Sequence, residues 1–266
     1  MERMFFRERL DESEWKKEKY IEQKKIAVTG LSRSAGTTFV ASALAFYFRD
    51  MGKKVTFTQC LEPLDAEHLF YDAVAMDKRF ARRSFVDFYR KIVDEEPLRN
   101  LENREAGISW ILPVPQNKAE EAAPVKPLSE RQRARLSSAA KGEVCIFDIE
   151  ADFKWNHLLL DMDVLVVVVD PLPSKMIQAA ERFKMLKKLE LSGCSVIWMV
   201  NHMNPGVSKR QVKSYLKTGD IHCIPTFDEA VFYEAEYTCR FLWENEEIRR
   251  KMLEIFTKVS HFKASL

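Results

Sequence analysis

Apolar positions along the chain gather in short runs, and the stretches between them repeat at helical spacing. The runs are Ile26-Ala27-Val28, Lys54 to Thr58, Ile108 to Leu112, Val144 to Phe147, Val164 to Val169, Ser195 to Val200 and Ile221 to Ile224, and several are apolar at every position. A strand apolar on both faces is covered on both faces, which predicts a parallel sheet between layers of helices. Between the runs, Thr37 to Arg49 sets Phe39, Val40, Ala43, Leu44 and Tyr47 on one helical face and stops before Gly52, a residue suited to a helix C-terminus. Ser129 with Gln132, and Ser208 with Gln211, have the Ser-x-x-Gln spacing of a capping box and mark two further helix starts. A Ser-capped helix is expected from Ser174. The predicted fold is α/β, with a mostly parallel central sheet and helices on both faces in three layers.

The pattern is different at both ends and near the middle. Residues 1–23 are dense in charge but carry Met4, Phe5, Phe6, Leu10 and Trp15, as an amphipathic arm would. Such an arm lies on its own body, on a partner or on a membrane surface. Residues 24–266 form the expected α/β domain, and the four prolines of Pro113 to Pro127 mark a loop or insertion within it. The final helix, Asn245 to Phe262, carries Ile248, Met252, Ile255, Phe256 and Val259 on one face; packing on the sheet is favoured over peripheral membrane contact.

Composition narrows the function classes. With 266 residues, 46% hydrophobic, the chain can build one large core. Lysine and arginine number 42 against 40 acidic residues, a net charge of +2, so there is no strong nucleic-acid signal. The five cysteines are scattered and mostly inside apolar runs, which suits buried thiols in a reducing compartment. No secretory leader is read, Val164 to Val169 is too short to span a bilayer, and the histidines lack zinc-ligand spacing. A cytoplasmic protein without a structural metal is expected.

The strongest local signal is IAVTGLSRSAGTTFVASALAFYF, an apolar strand, a Gly/Ser/Thr loop and then a helix. Backbone N–H groups of such a loop, with the positive end of the helix dipole, attract an anion without any basic side chain. The loop residues Gly30, Ser32, Arg33, Ser34, Ala35, Gly36, Thr37 and Thr38 are the candidate phosphate site.

Here the chain resembles the MinD/ParA-type ATPases with a deviant Walker A loop. Ser32 to Thr38 (SRSAGTT) lies on the family's K-G-G-x-G-K-T, so Gly36 and Thr38 match while Ser32 and Thr37 stand where the two lysines belong. Arg33 and Ser34 replace two glycines. VCIFD resembles the Walker B strand, with Asp148 as the residue that joins Thr38 around magnesium. The resemblance puts Asn201, after SVIWMV, on the adenine edge and Pro225 and Asp228, in IPTFDEA, at the border of the base. Gln59 and Leu61, in KKVTFTQCLEP, fall on the family's Asp-x-Asp pair. Glu62 reads as solvent-facing, and Glu150 and Asp152 as loop carboxylates or water-orienting groups.

Without a lysine to compensate phosphate charge, the barrier rises on the order of 3–4 kcal/mol. The resemblance therefore implies a nucleotide-binding switch or pseudo-ATPase that holds ATP or ADP with Mg weakly, hydrolyses it little or not at all, and regulates a protein partner. The alternatives are an interaction protein with an empty ancestral site, or a weakly active ATPase or small-molecule kinase or ligase. Ser32 cannot reach a second subunit's phosphates as the family's lysine does, so a monomer or a dimer held by other contacts is expected.

Overall fold

The computed structural model of the protein describes residues 23–62, 68–76, 83–115 and 127–263. Residues 1–22 of the expected arm and residues 116–126 of the Pro-rich segment lie outside the described residues. The strands are β1 (Lys24–Gly30), β2 (Val55–Cys60), β3 (Arg104–Glu105), β4 (Ile108–Ile111), β5 (Val144–Ile149), β6 (Val164–Val169), β7 (Ser195–Met203) and β8 (His222–Pro225). The α-helices are α1 (Thr37–Asp50), α2 (His68–Ala75), α3 (Phe88–Val93), α4 (Glu130–Ala139), α5 (Pro173–Gln178), α6 (Ala180–Leu191), α7 (Lys209–Leu216), α8 (Glu229–Tyr237), α9 (Glu246–Phe256) and α10 (Ser260–Lys263). Short 3₁₀ segments run over Phe153–Asp161 and Leu242–Glu244.

Among the described residues the strands form one eight-stranded sheet in the order β3-β4-β2-β5-β1-β6-β7-β8, parallel except for β3 against β4. Alternation splits each apolar strand between two cores. Ile26 and Val28 of β1, with Val164, Val166 and Val168 of β6, face α1, α8 and α9. Ala27, with Leu165, Val167 and Val169, faces the layer holding α3, α4, α6 and α7. The expected mostly parallel, double-faced sheet is present.

Three details differ from the sequence expectation. Helix α1 is buried at every position from Phe39 to Phe48, not along one face, because α9 and the Leu242–Glu244 turn cover its outer side. The helix expected from Ser174 begins at Pro173 and has no side-chain cap at Leu172; proline at the first turn sacrifices an N–H that would have no helical partner. The last helix breaks between Phe256 and Ser260. This turn lets Phe262 reach the core and meet Phe48 edge-on at 5.8 Å.

Other expectations hold. Gly52 adopts φ 77° just past α1, and its N–H reaches Arg49 O at 2.8 Å. Ser129 and Gln132 make both bonds of a capping box, while Ser208 and Gln211 make one of the two, the Gln211 N–H donating to Ser208 Oγ. The edge hairpin of β3 and β4, not foreseen, turns through Ala106 and Gly107 with φ of 48° and 79°, the left-handed pair a two-residue connection demands. It also caps the sheet edge beside Trp110, whose ring stacks on Phe241 at 5.0 Å while its Nε1–H donates to Glu105 O at 3.0 Å.

Candidate functional site

The loop between β1 and α1 sits at the C-terminal edge of the sheet and is fixed at both ends. At its start, Arg182 of α6 donates from Nε to Gly30 O at 2.9 Å and from Nη2 to Thr29 Oγ1 at 2.7 Å. At its end, Asn201 of β7 donates from Nδ2 to Ala35 O at 3.0 Å. Both glycines are required by close approach. A Cβ on Gly30 would lie 2.5 Å from Ser32 O, and one on Gly36, where φ is 85°, would lie 2.2 Å from Asn201 Nδ2. Gly36 also precedes α1 without a side-chain cap, so the first-turn N–H groups point out of the helix with no capping oxygen.

A cavity of about 470 Å³ opens over this loop. Ser32, Arg33, Ser34, Gly36, Thr37, Thr38, Asp148 and Glu150 form its polar wall, while Phe39, Leu61, Phe70 and Leu242 form an apolar one. Thr38 and Asp148 thus share one space. Asp148 is held on β5 in register with Val28 on one side and Gln59 on the other. A second cavity of about 370 Å³ adjoins it, lined by Gly36, Phe39, Asn201, Pro225, Phe227 and Phe232. Its rings, with Phe39 at 5.7 Å from both Phe227 and Phe232, offer flat apolar walls.

Solved structures of similar fold include MinD and ParA proteins. A ParA family ATPase from Chlorobium tepidum TLS matches with a TM-score of 0.68 at 14% identity, over 87% of this chain and 96% of that one. MinD from Pyrococcus horikoshii OT3, complexed with Mg-ADP, matches at 0.65 and 10% over 92% and 99%. A putative plasmid partition protein from Borrelia burgdorferi B31, bound to AMPPNP, matches at 0.63 and 16% over 89% and 99%. The chain has the MinD/ParA-type fold. No protein-family model matches its sequence, and no curated protein does.

On this MinD/ParA fold the predicted residues divide into two groups. Ser32, Arg33, Ser34, Gly36, Thr37, Thr38, Asp148, Asn201 and Pro225 converge on the two adjoining cavities, whereas Gly30 and Ala35 line neither and instead anchor the loop from below through their carbonyls. Asp228 instead caps α8, accepting from the Ala230 N–H at 3.0 Å. Asn201, expected at a base edge, spends an amide hydrogen on the loop itself. Arg33 is exposed at the loop tip and pairs with Glu150 at 3.3 Å and Asp152 at 3.8 Å, while Asp152 also caps the Phe153–Asp161 turn.

Glu62 corrects the sequence reading. It is buried, pairs with Arg133 at 3.0 Å and accepts from the Leu128 N–H at 3.1 Å, because α4 folds over the end of β2. Gln59, at the first position of the family's carboxylate pair, is buried with Nε2 lacking a hydrogen-bond partner. An amide there cannot take a proton from water.

Arg182 escaped sequence reasoning. Nothing in AAERFKM separates it from the other cations of an amphipathic helix, and only the fold brings it under Gly30. Burial lowers its guanidinium to about 10, although Asp152 and Glu150 act to raise it. Burial likewise raises the Cys60 thiol, with the Asp148 charge adding to the effect.

Proposed function

We propose that this chain is a nucleotide-binding switch of the MinD/ParA kind that turns its nucleotide over slowly or not at all and acts through a protein partner. The observation that carries this reading is the shared cavity: Thr38, Asp148 and the uncapped first turn of α1 meet in one open space, while Ser32 and Thr37 occupy both lysine positions. The loop and first-turn amides would hold the phosphates of ATP or ADP, and the adjoining aromatic cavity would take the base. Thr38 and Asp148 are the oxygen donors that would hold Mg, an ion that keeps several waters and needs few protein ligands. When bound, Mg would neutralise phosphate charge that no lysine compensates here.

Low turnover follows from the side chains present. Thr37 has no charge, and Gln59 replaces a carboxylate able to position water. Addition of millimolar Mg-ATP should raise the melting temperature, an increase that Asp148→Asn abolishes when Mg is present, with little phosphate release from either protein. Absence of a shift with any adenine or guanine nucleotide would overturn the reading.

The Arg33 contacts favour a second reading, an interaction protein with an empty site, since Glu150 and Asp152 already neutralise the loop's own cation. Arg33 is 71% exposed while Glu150 and Asp152 are 19% and 23% exposed, so solvent screens each pair to about 1 kcal/mol and a polyphosphate would compete for the guanidinium. An unchanged melting temperature together with partner capture would support this second reading.

A further inference from the structure

We propose that Arg33 is the cation that compensates phosphate charge at the candidate site, and that Glu150 and Asp152 hold it aside until an incoming polyphosphate displaces them. The inference rests on the nucleotide-binding reading above and adds the residue that stands in for the missing lysines. Among the described residues lining the larger cavity, Arg33 is the one lysine or arginine, set against the carboxylates of Asp148 and Glu150. His202 is the other group there able to carry a positive charge, and its Nδ1 lies 3.6 Å from Asp170. A ligand with several negative charges is repelled by two carboxylates unless a cation joins it, and Arg33 belongs to the loop that forms the polar wall.

The contacts of Arg33 are ones it can leave. Its Nη2 lies 3.3 Å from Glu150 Oε1 and 3.8 Å from Asp152 Oδ2, while its own side chain is 71% exposed. Pairs so open to water are weak, and an exposed side chain changes rotamer within nanoseconds, so the backbone need not move. A phosphate group is the better partner. The guanidinium fork pairs two of its N–H groups with two oxygens of one phosphate, whereas here a single nitrogen is shared between two carboxylates.

The carboxylates keep a second guanidinium when Arg33 goes. Arg182 is near enough for the charges of Glu150 and Asp152 to act on it, and it is held in place by Gly30 O, Thr29 Oγ1 and Asn156 Oδ1. Asp152 also keeps the Lys154 N–H at 3.0 Å. Glu150 and Asp152 thus face two arginines, a buried one that cannot leave and an exposed one that can. If the two acids served instead to orient water, removing their charge would leave ligand affinity unchanged; if they hold Arg33, it tightens binding.

The test is calorimetric titration of the full chain with inorganic tripolyphosphate and, separately, with Mg-ADP. Arg33→Gln should weaken tripolyphosphate binding at least about tenfold, with Arg33→Lys falling between it and wild type. Glu150→Gln combined with Asp152→Asn should tighten binding about three- to tenfold, the asparagine keeping an acceptor for the Lys154 N–H. Loss of two acids favours any anion, so the deciding protein is the triple variant. Without Arg33 the gain should largely vanish, a coupling that a general field effect lacks. Circular dichroism would verify folding of each variant. Tripolyphosphate affinity that ignores Arg33, a carboxylate variant that binds no tighter, or a gain that persists in the triple variant would each overturn the proposal. So would failure of both the wild type and the carboxylate variant to bind tripolyphosphate. Mg-ADP bound equally with and without Arg33 would remove the role of Arg33 and leave the nucleotide reading standing. Tripolyphosphate held through Arg33 by a protein that binds no nucleotide would do the reverse.

Discussion

Ser34 holds φ at 55°, in a loop position where the MinD/ParA family places glycine. A side chain in this left-handed region costs on the order of 1 kcal/mol, a cost glycine avoids. Ser34→Gly should therefore raise unfolding stability by roughly 0.5–1 kcal/mol, read as a higher urea midpoint at unchanged slope. Arg133 and Glu62 present the opposite case. Their side chains are 11% and 6% exposed, so removing only the cation leaves a buried carboxylate without its partner. Arg133→Met should cost about 3 kcal/mol at neutral pH, while the double substitution with Glu62→Leu should recover much of that loss. Equal losses from the single and double variants would contradict the pairing.

At the scale of elements, ends decide more than interiors. Helix α9 begins at Asn245, whose Oδ1 accepts from the N–H groups of both Glu247 and Ile248 at 3.1 Å. The cap directs Ile248, Met252 and Phe256 onto α1, where Phe256 lies 5.4 Å from Tyr47. Asn245→Ala should cost about 1 kcal/mol in thermal or chemical denaturation, and Asn245→Asp should cost much less because it keeps the acceptor and suits the helix dipole. Helix α5 lacks such a side-chain cap and ends after six residues.

For the whole molecule, pH acts through His222 on the edge strand β8. Burial holds its imidazole below the ordinary histidine value, helped by His261 and Lys209 and opposed by Asp220. The unfolded chain then binds this proton more readily than the fold. Stability from His222 is full above the unfolded value near 6.5 and is lost as pH falls through the lower folded value. His222→Gln should flatten the dependence of melting temperature on pH between about 7.5 and 5.5. The sheet itself was legible in sequence because Val164 to Val169 and its counterparts are apolar on both faces, a property local to each run. The strand–loop–helix around Gly36 was legible too, because its apolar strand, Gly/Ser/Thr loop and helical face adjoin one another in the chain. Arg182 beneath Gly30, and Arg133 beside Glu62, were not, because each contact joins residues far apart in sequence and leaves no local periodicity. The early ending of α5 likewise depends on chain geometry beyond its own pattern.

Strand β1 precedes the other described strands in the chain yet lies between β5 and β6, with Ile26 opposite both Ile146 and Val164. On a ribosome adding about 5–20 residues each second, those neighbours emerge on the order of ten seconds after β1 does. Until then the loop between β1 and α1 has neither the strand that carries Asp148 nor the helix that carries Arg182. A nascent chain therefore lacks the complete candidate site for most of its synthesis, and its apolar strand β1 waits without either neighbour, the kind of surface that chaperones cover.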